Sequence, residues 1–200
     1  MPASNPSITA FDFDGTLTHK DSFVSFLCDS FGLGHVAAAL VLNPGLLGHY
    51  AVTRDRGTLK SRLLFALAGA MPRTELEGRM TAFADAAGLG LFRPDALACW
   101  RETKGPRVIV TASPELLVEP FGRLIGADRV IGTRLGFSND GLLLRDLDGP
   151  NCRGAEKVRR LHEAFGDDMV LEAAYGDTAG DTDMLAAANR SFYRVFKQKP

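Results

Sequence analysis

Ile8-Thr9-Ala10-Phe11-Asp12-Phe13-Asp14-Gly15-Thr16 is the stretch that decides the fold. Its apolar run stops at a carboxylate and is followed by the turn-forming pair Asp14-Gly15, as in a buried parallel strand that opens into a functional loop. Two later segments share the design. Arg107 to Ala112 (RVIVTA) and Val170 to Tyr175 (VLEAAY) are rich in β-branched or aromatic residues and end in small or polar ones. Pro114 to Ile125 and Gly154 to Phe165 carry apolar residues at helical spacing, with Pro114 near the start of the first and Gly166 closing the second. This alternation of strand, loop and helix predicts an α/β fold built on a doubly wound parallel sheet of Rossmann-like type. Its ligand site belongs beyond the carboxyl ends of the strands.

About ninety residues separate the first strand from RVIVTA, too many for a simple crossover. Segments near 22–31, 36–42, 46–52, 58–68, 75–87 and 95–103 read as helices, broken most clearly at Asn43-Pro44-Gly45 and Met71-Pro72. The expected division is a catalytic core from 1–18 and 104–200, with an inserted helical cap at 19–103. Arg134 to Leu144, with Asn139-Asp140-Gly141 between apolar runs, predicts a small β-hairpin beside the sheet.

Two carboxylates two residues apart, Asp12 and Asp14, repel each other unless a cation lies between them. A second acidic pair follows VLEAAY in Gly176-Asp177-Thr178-Ala179-Gly180-Asp181. Neighbouring strand ends would bring the pairs together, and converging carboxylate oxygens without nitrogen or sulfur ligands suit Mg²⁺ better than Zn²⁺. Thr111 ends RVIVTA, and Lys157 lies in the first turns of the helix that starts at Gly154. A hydroxyl, an ammonium group and a divalent cation together would neutralise a phosphate dianion, so the set predicts phosphoryl transfer.

The order DFDGT, VTAS, a downstream Lys and GDTAGD resembles the four motifs of the haloacid dehalogenase (HAD) superfamily over positions 8 to 195. The helical insertion resembles the C1-type cap of its IB subfamily, which includes phosphoserine phosphatases. The resemblance implies a Mg²⁺-dependent phosphatase in which Asp12 is the nucleophile that becomes an aspartyl phosphate, while Asp14 protonates the leaving alcohol and then activates water. It implies metal ligation by Asp12, the Asp14 carbonyl and Asp177, with support from Asp181. Thr111 would hydrogen-bond the transferring group and Lys157 would offset its charge. Gly15, Thr16, Ala112 and Ser113, in the same motifs, are expected to line the phosphate or substrate.

Several of these residues have a second reading. Asp14 and Thr16 fit ordinary turn chemistry, Asp177 and Asp181 fit helix N-caps, Thr111 is a β-former, and Lys157 is compatible with a solvated helix position. Asp21 is either the N-cap of the helix from Ser22 or, by resemblance, a contact for a substrate amine. Arg62 is either an exposed helical residue or a cap residue reaching a substrate anion. A receiver-type signalling domain also joins an acidic pocket, a Thr and a Lys around an aspartyl phosphate, but the DxDGT pair, the separate GDxxxD pair and the long insertion disfavour it.

Composition narrows the partners. With 23 Lys and Arg against 24 Asp and Glu, the net charge is -1, and no general field draws this chain to nucleic acid. Three widely spaced cysteines without a CxxC predict neither a disulfide framework nor a zinc site and fit a cytoplasmic setting. MPASNPS lacks a secretory pattern and reads as a loose tail. From Phe31 to Thr53 there is no Asp, Glu, Lys or Arg, yet Asn43-Pro44-Gly45 splits the stretch into halves too short to span a bilayer. That stretch predicts a helical hairpin that packs within the cap, against a second copy or on a lipid surface. The motifs around it resemble the branch that includes phosphatidylglycerophosphatase C more than they resemble phosphoserine phosphatases. A small phosphorylated alcohol or a phospholipid headgroup phosphate is therefore the expected substrate, with phosphoserine the alternative.

Overall fold

The computed structural model describes residues 7–53 and 55–200, so the tail expected at the N-terminus lies, up to Pro6, outside the described residues. Five strands form one sheet in the order β3-β2-β1-β6-β7: β1 (Ser7–Phe11), β2 (Arg107–Pro114), β3 (Arg129–Thr133), β6 (Val170–Gly176) and β7 (Arg190–Tyr193). Every pairing is parallel. The central strand is β1, where Ala10 and Phe11 are fully buried; in β2, Val108, Ile109 and Val110 are equally enclosed. Such near-continuous burial is what a parallel strand covered on both faces requires.

Alternate side chains serve the two faces. Ile8, Ala10, Val108 and Val110 join Leu161 of α8 (Ala155–Phe165) and Met184 of α9 (Thr182–Ala187). Phe11 and Ile109 face the larger cluster, which runs through α7 (Glu115–Ile125) into the inserted helices. Phe121 of α7 lies at its centre, with ring centroids 5.6 Å from Phe13, 5.8 Å from Phe83 and 6.1 Å from Phe92. Truncating a ring so placed costs about 3–5 kcal/mol, so this contact ties the loop after β1 to the insertion firmly. Trp100 adds a second tie, donating its Nε1 hydrogen to Ile125 O at 2.9 Å while its ring sits 4.9 Å from Phe11.

Between β1 and β2 lie α1 (Ser22–Phe31), α2 (Leu33–Leu42), α3 (Pro44–Thr53), α4 (Arg56–Ala68), α5 (Arg73–Ala87), a 3-10 turn at Gly88–Leu91 and α6 (Pro94–Glu102). Their bounds follow the apolar periodicity and the breakers at Asn43-Pro44 and Met71-Pro72. α1 and α2 meet at 103°, and no single helix among the described residues is long and apolar enough to cross a membrane. The expected hairpin is β4 (Leu135–Phe137) and β5 (Leu143–Leu147), antiparallel and separate from the main sheet. It is held against α4 by Ser61, whose Oγ donates to Arg145 O at 2.9 Å.

β3 and β7 form the two edges of the sheet; Arg129 is exposed at the start of β3, and Tyr193 ends β7.

Candidate active site

Each strand that reaches the centre of the sheet delivers a polar side chain at its carboxyl end. The ladder carries on past β1, since Asp12 N donates to Tyr175 O at 2.9 Å, and this fixes the direction of the Asp12 carboxylate. Gly15 then turns with φ +89°, a conformation natural to glycine; a Cβ there would collide with the carboxylate of Asp177. The loops after β1 and β6 are therefore interlocked, and the two acidic pairs meet.

Asp12, Thr111, Lys157 and Asp181 are buried. Lys157 Nζ donates at 2.7 Å to Asp12 Oδ1, at 2.7 Å to Asp181 Oδ1 and at 2.6 Å to Val110 O, which uses all three ammonium hydrogens. Thr16 Oγ1 lies 3.2 Å from Asp12 Oδ2 and 3.3 Å from Asp177 Oδ1. One carboxylate oxygen from each of Asp12, Asp177 and Asp181 falls within 4.8 Å of the others. An oxygen-only donor set of this kind, three carboxylates of which two share one ammonium, fits a hard divalent cation. Asp181 occupies the N-cap position of α9 but makes no capping bond there; its Oδ2 instead accepts from Asp177 N at 3.2 Å and Thr178 N at 2.9 Å.

Burial pushes the Asp12 carboxyl up to about 7, against the pull of Lys157. Burial raises Asp177 as well, with repulsion from Asp181 adding to it. For Asp181, burial works upward, yet the Lys157 charge and its hydrogen bond prevail and hold the carboxyl below the usual carboxylate range. Desolvation works to strip Lys157 of its proton, but the two carboxylates beside it hold that proton more tightly than usual.

Asp14 sits across the floor from this cluster. Its Oδ1 accepts from Ser22 N at 2.7 Å and its Oδ2 from Ser113 Oγ at 2.5 Å. Lys60 Nζ, arriving from α4, lies 3.1 Å from the same Ser113 Oγ. Burial raises the Asp14 carboxyl, partly offset by Lys60. Thr111 Oγ1 accepts from Ser113 N at 3.0 Å within the last residues of β2, where Ala112 and Ser113 line the same hollow.

These groups line a cavity of about 290 Å³. Gly15 and Asp21 also line it, whereas Thr16 and Asp177 lie behind its floor and Arg62 is absent from the lining. Asp21 caps α1, accepting from Val24 N at 2.9 Å, and stands 3.4 Å from Lys60. Arg62 points to Asp146 of β5 at 3.2 Å, in an ion pair on the outer surface. The sequence reading missed Arg56 and Lys60 on α4, and Asn151 and Arg153 in the loop before α8, all of which line the cavity. The spacing of Arg56 and Lys60, one turn apart behind the Asp55 cap, was the available signal, since it puts both cations on one helix face. Asn151 and Arg153 lie in an irregular loop without periodicity.

A sheet that gathers acidic pairs, a buried lysine and a hydroxyl at its carboxyl edge defines a hydrolase of the haloacid dehalogenase type. Residues 9–186 match the model of the haloacid dehalogenase-like hydrolase family, and the chain belongs to that family. It is 50% identical over 198 residues to "Protein CicA" of Caulobacter vibrioides, covering 98% of this chain and 89% of that protein. It is 30% identical over 189 residues to a phosphoserine phosphatase of Halobacterium salinarum, covering 91% of this chain and 82% of that enzyme. Among solved structures, a protein of unknown function from Bordetella pertussis Tohama I superposes with a TM-score of 0.74 at 21% identity, over 93% of this chain and 89% of that one.

Proposed function

We propose that this chain is a Mg²⁺-dependent phosphatase that hydrolyses a phosphate monoester through an aspartyl phosphate on Asp12. The observation that carries the proposal is the juxtaposition of Asp12, held by Lys157 at the cavity floor, with a separate carboxyl, Asp14, held by Ser22 and Ser113. Likeness to the phosphoserine phosphatase of Halobacterium salinarum supports the reaction class. A cation bound among Asp12, Asp177 and the Asp14 carbonyl would offset the phosphate charge that otherwise repels an attacking carboxylate. Asp12 forms a bond to phosphorus as the bond to the alcohol oxygen breaks, and Asp14 gives that oxygen a proton. Asp14, now ionised, takes a proton from water as the water oxygen attacks phosphorus, and Asp12 leaves with its electron pair restored. Thr111 and Lys157 face the transferred group, and Asp181 positions Lys157.

In this reading residues 19–103 act as a cap that selects substrate for a core of 1–18 and 104–200, in a cytoplasmic setting. A phospholipid headgroup phosphate or another phosphorylated alcohol is favoured by the exposed, uncharged surface of α2 and α3. There Leu33 is 71% exposed, Val41 77%, Leu42 78% and Val52 85%. Phosphoserine is the second reading, supported by the likeness to the Halobacterium enzyme. The engagement of Asp21 with its own helix and of Arg62 with Asp146 counts against it. The test is release of phosphate from p-nitrophenyl phosphate with and without Mg²⁺, followed by a screen of phosphoserine, phosphoethanolamine and phosphatidylglycerophosphate. Turnover only with Mg²⁺ is expected, and Mg²⁺-independent or absent turnover defeats the proposal.

The raised Asp12 and Asp177 carboxyls set a pH dependence for cation binding. A cation needs both groups ionised, so below about pH 7 it must displace a proton from Asp12, and affinity falls as the pH drops. Calorimetric titration of Mg²⁺ at pH 6 and pH 8.5, in buffers of different ionisation heat, should show weaker binding and more proton release at the lower pH. Equal affinity and no released proton would contradict the charge arrangement described above.

A further inference from the structure

The cavity is divided by charge. Its floor carries Asp12 and Asp181 around Lys157, with Asp14 across from them, while its mouth carries Lys20, Arg56, Lys60 and Arg153 against a single carboxylate, Asp21. The four cations come from three separate segments: the loop after β1, the start of α4 and the loop before α8. Lys60 is tied to Asp21 and Ser113. Lys20, Arg56 and Arg153 have no carboxylate partner among the described residues, although the chain as a whole is slightly acidic.

Arg153 is laid flat over the GDTAGD loop, so close that a Cβ at Gly180 would stand 2.9 Å from its Cγ and 3.1 Å from its Cζ. Arg56 is brought opposite by the contact of Gly57 with Asn151, where a Cβ at Gly57 would stand 2.7 Å from the Asn151 Cβ. The one phosphoryl group that the floor can process does not balance this ring. Grouped cations without counter-charges repel one another, and a second anion between them removes that cost. Guanidinium pairs also suit the forked oxygens of a phosphate.

We propose that the substrate carries a second phosphate-type anion beyond the phosphoryl group that is removed, and that Arg56 and Arg153, with Lys20 and Lys60, bind it. This rests on the phosphatase reading and names the substrate class within it: a bisphosphate, or a monoester that also bears a phosphodiester. A phospholipid headgroup and a small water-soluble bisphosphate share that chemistry.

The test pairs α,ω-alkanediol bisphosphates of two to four carbons with the matching monophosphates, and vesicles containing phosphatidylglycerophosphate with vesicles containing phosphatidic acid. The bisphosphates should show kcat/KM at least tenfold above the monophosphates, mainly through KM, and the advantage should shrink with added salt. In Arg56→Gln and Arg153→Gln the advantage should fall to within about twofold of unity, while Arg101→Gln, on the exposed face of α6, keeps it. Preference for the diacyl substrate alone assigns the site to lipid, and preference for the diol bisphosphates alone assigns it to small molecules. Equal rates for mono- and bis-anionic substrates in both arms, or an advantage untouched by both substitutions, overturns the proposal. Calorimetric binding of the same pairs to the Asp12→Asn protein reads the collar without turnover. Absent turnover with retained bisphosphate preference would thus fail the phosphatase reading alone, and equal binding would fail the collar.

Discussion

Asp12→Asn should lower kcat by about 10⁴-fold or more, with the fold intact. The amide oxygen can still accept from Lys157, and Asp181 remains at 2.7 Å to balance the ammonium, so the thermal midpoint should move by only a few degrees. Removing a buried anion with a raised pKa relieves some desolvation cost, which offsets the lost ion pair. Acid-quenched enzyme incubated with ³²P-labelled substrate should carry label on the wild-type protein and none on the variant. A variant that keeps more than a hundredth of the wild-type rate, or that still takes up label, would remove Asp12 from the role of nucleophile.

The second large effect belongs to Lys157→Met. Met fills nearly the same volume but leaves Asp12 and Asp181 buried side by side without their shared ammonium, and breaking a buried pair in this way costs roughly 3–5 kcal/mol. The sign with pH follows from the ionised forms. Lys157 holds Asp181 below the usual carboxylate range, so the stability it supplies is fully present above that range and is lost as the pH falls through the folded value. That contribution is complete at both pH 5 and pH 8 in the wild type. In the variant, burial without the ammonium raises the Asp12 and Asp181 carboxyls, which take up a proton as the pH falls, so urea denaturation should show a large deficit at pH 8 and a smaller one at pH 5. Added Mg²⁺ should restore part of the deficit at pH 8 by supplying the missing charge. A deficit below about 1 kcal/mol, unchanged between the two pH values, would mean that Lys157 is not the counter-charge of the floor.

Much of this architecture was legible in the chain because its signals are local. The three inner strands announce themselves through apolar runs that end in acids or a hydroxyl, and the helices between β1 and β2 follow breakers such as Asn43-Pro44 closely. The meeting of Asp12 with Asp177 could be anticipated from strand order alone, since parallel neighbours deliver their loops to one edge. What stayed hidden depends on how separate segments face one another. Asp21 and Arg62 each offered two readings in the sequence; in the structure Asp21 caps α1 and also lines the cavity, and Arg62 pairs with Asp146 of the hairpin. Arg153 gave no motif at all, and Arg56 only its spacing from Lys60; their common cavity arises from a glycine of α4 seated on Asn151. β3 and β7, of five and four residues, are edge strands too short to show a period of their own.

The sheet order also bears on how the chain is made. β1 is the innermost strand, yet β6, which covers one of its edges, lies some 160 residues downstream. During synthesis β1 therefore has β2 on one side only, and its other backbone edge stays open until β6 leaves the ribosome. Because Asp177 follows β6 directly, a nascent chain can bury many of its apolar residues before the carboxylates of Asp12, Asp177 and Asp181 come together. Assembly of the acidic cluster therefore follows closure of the sheet, and the exposed edge of β1 is where arrested chains are most prone to associate.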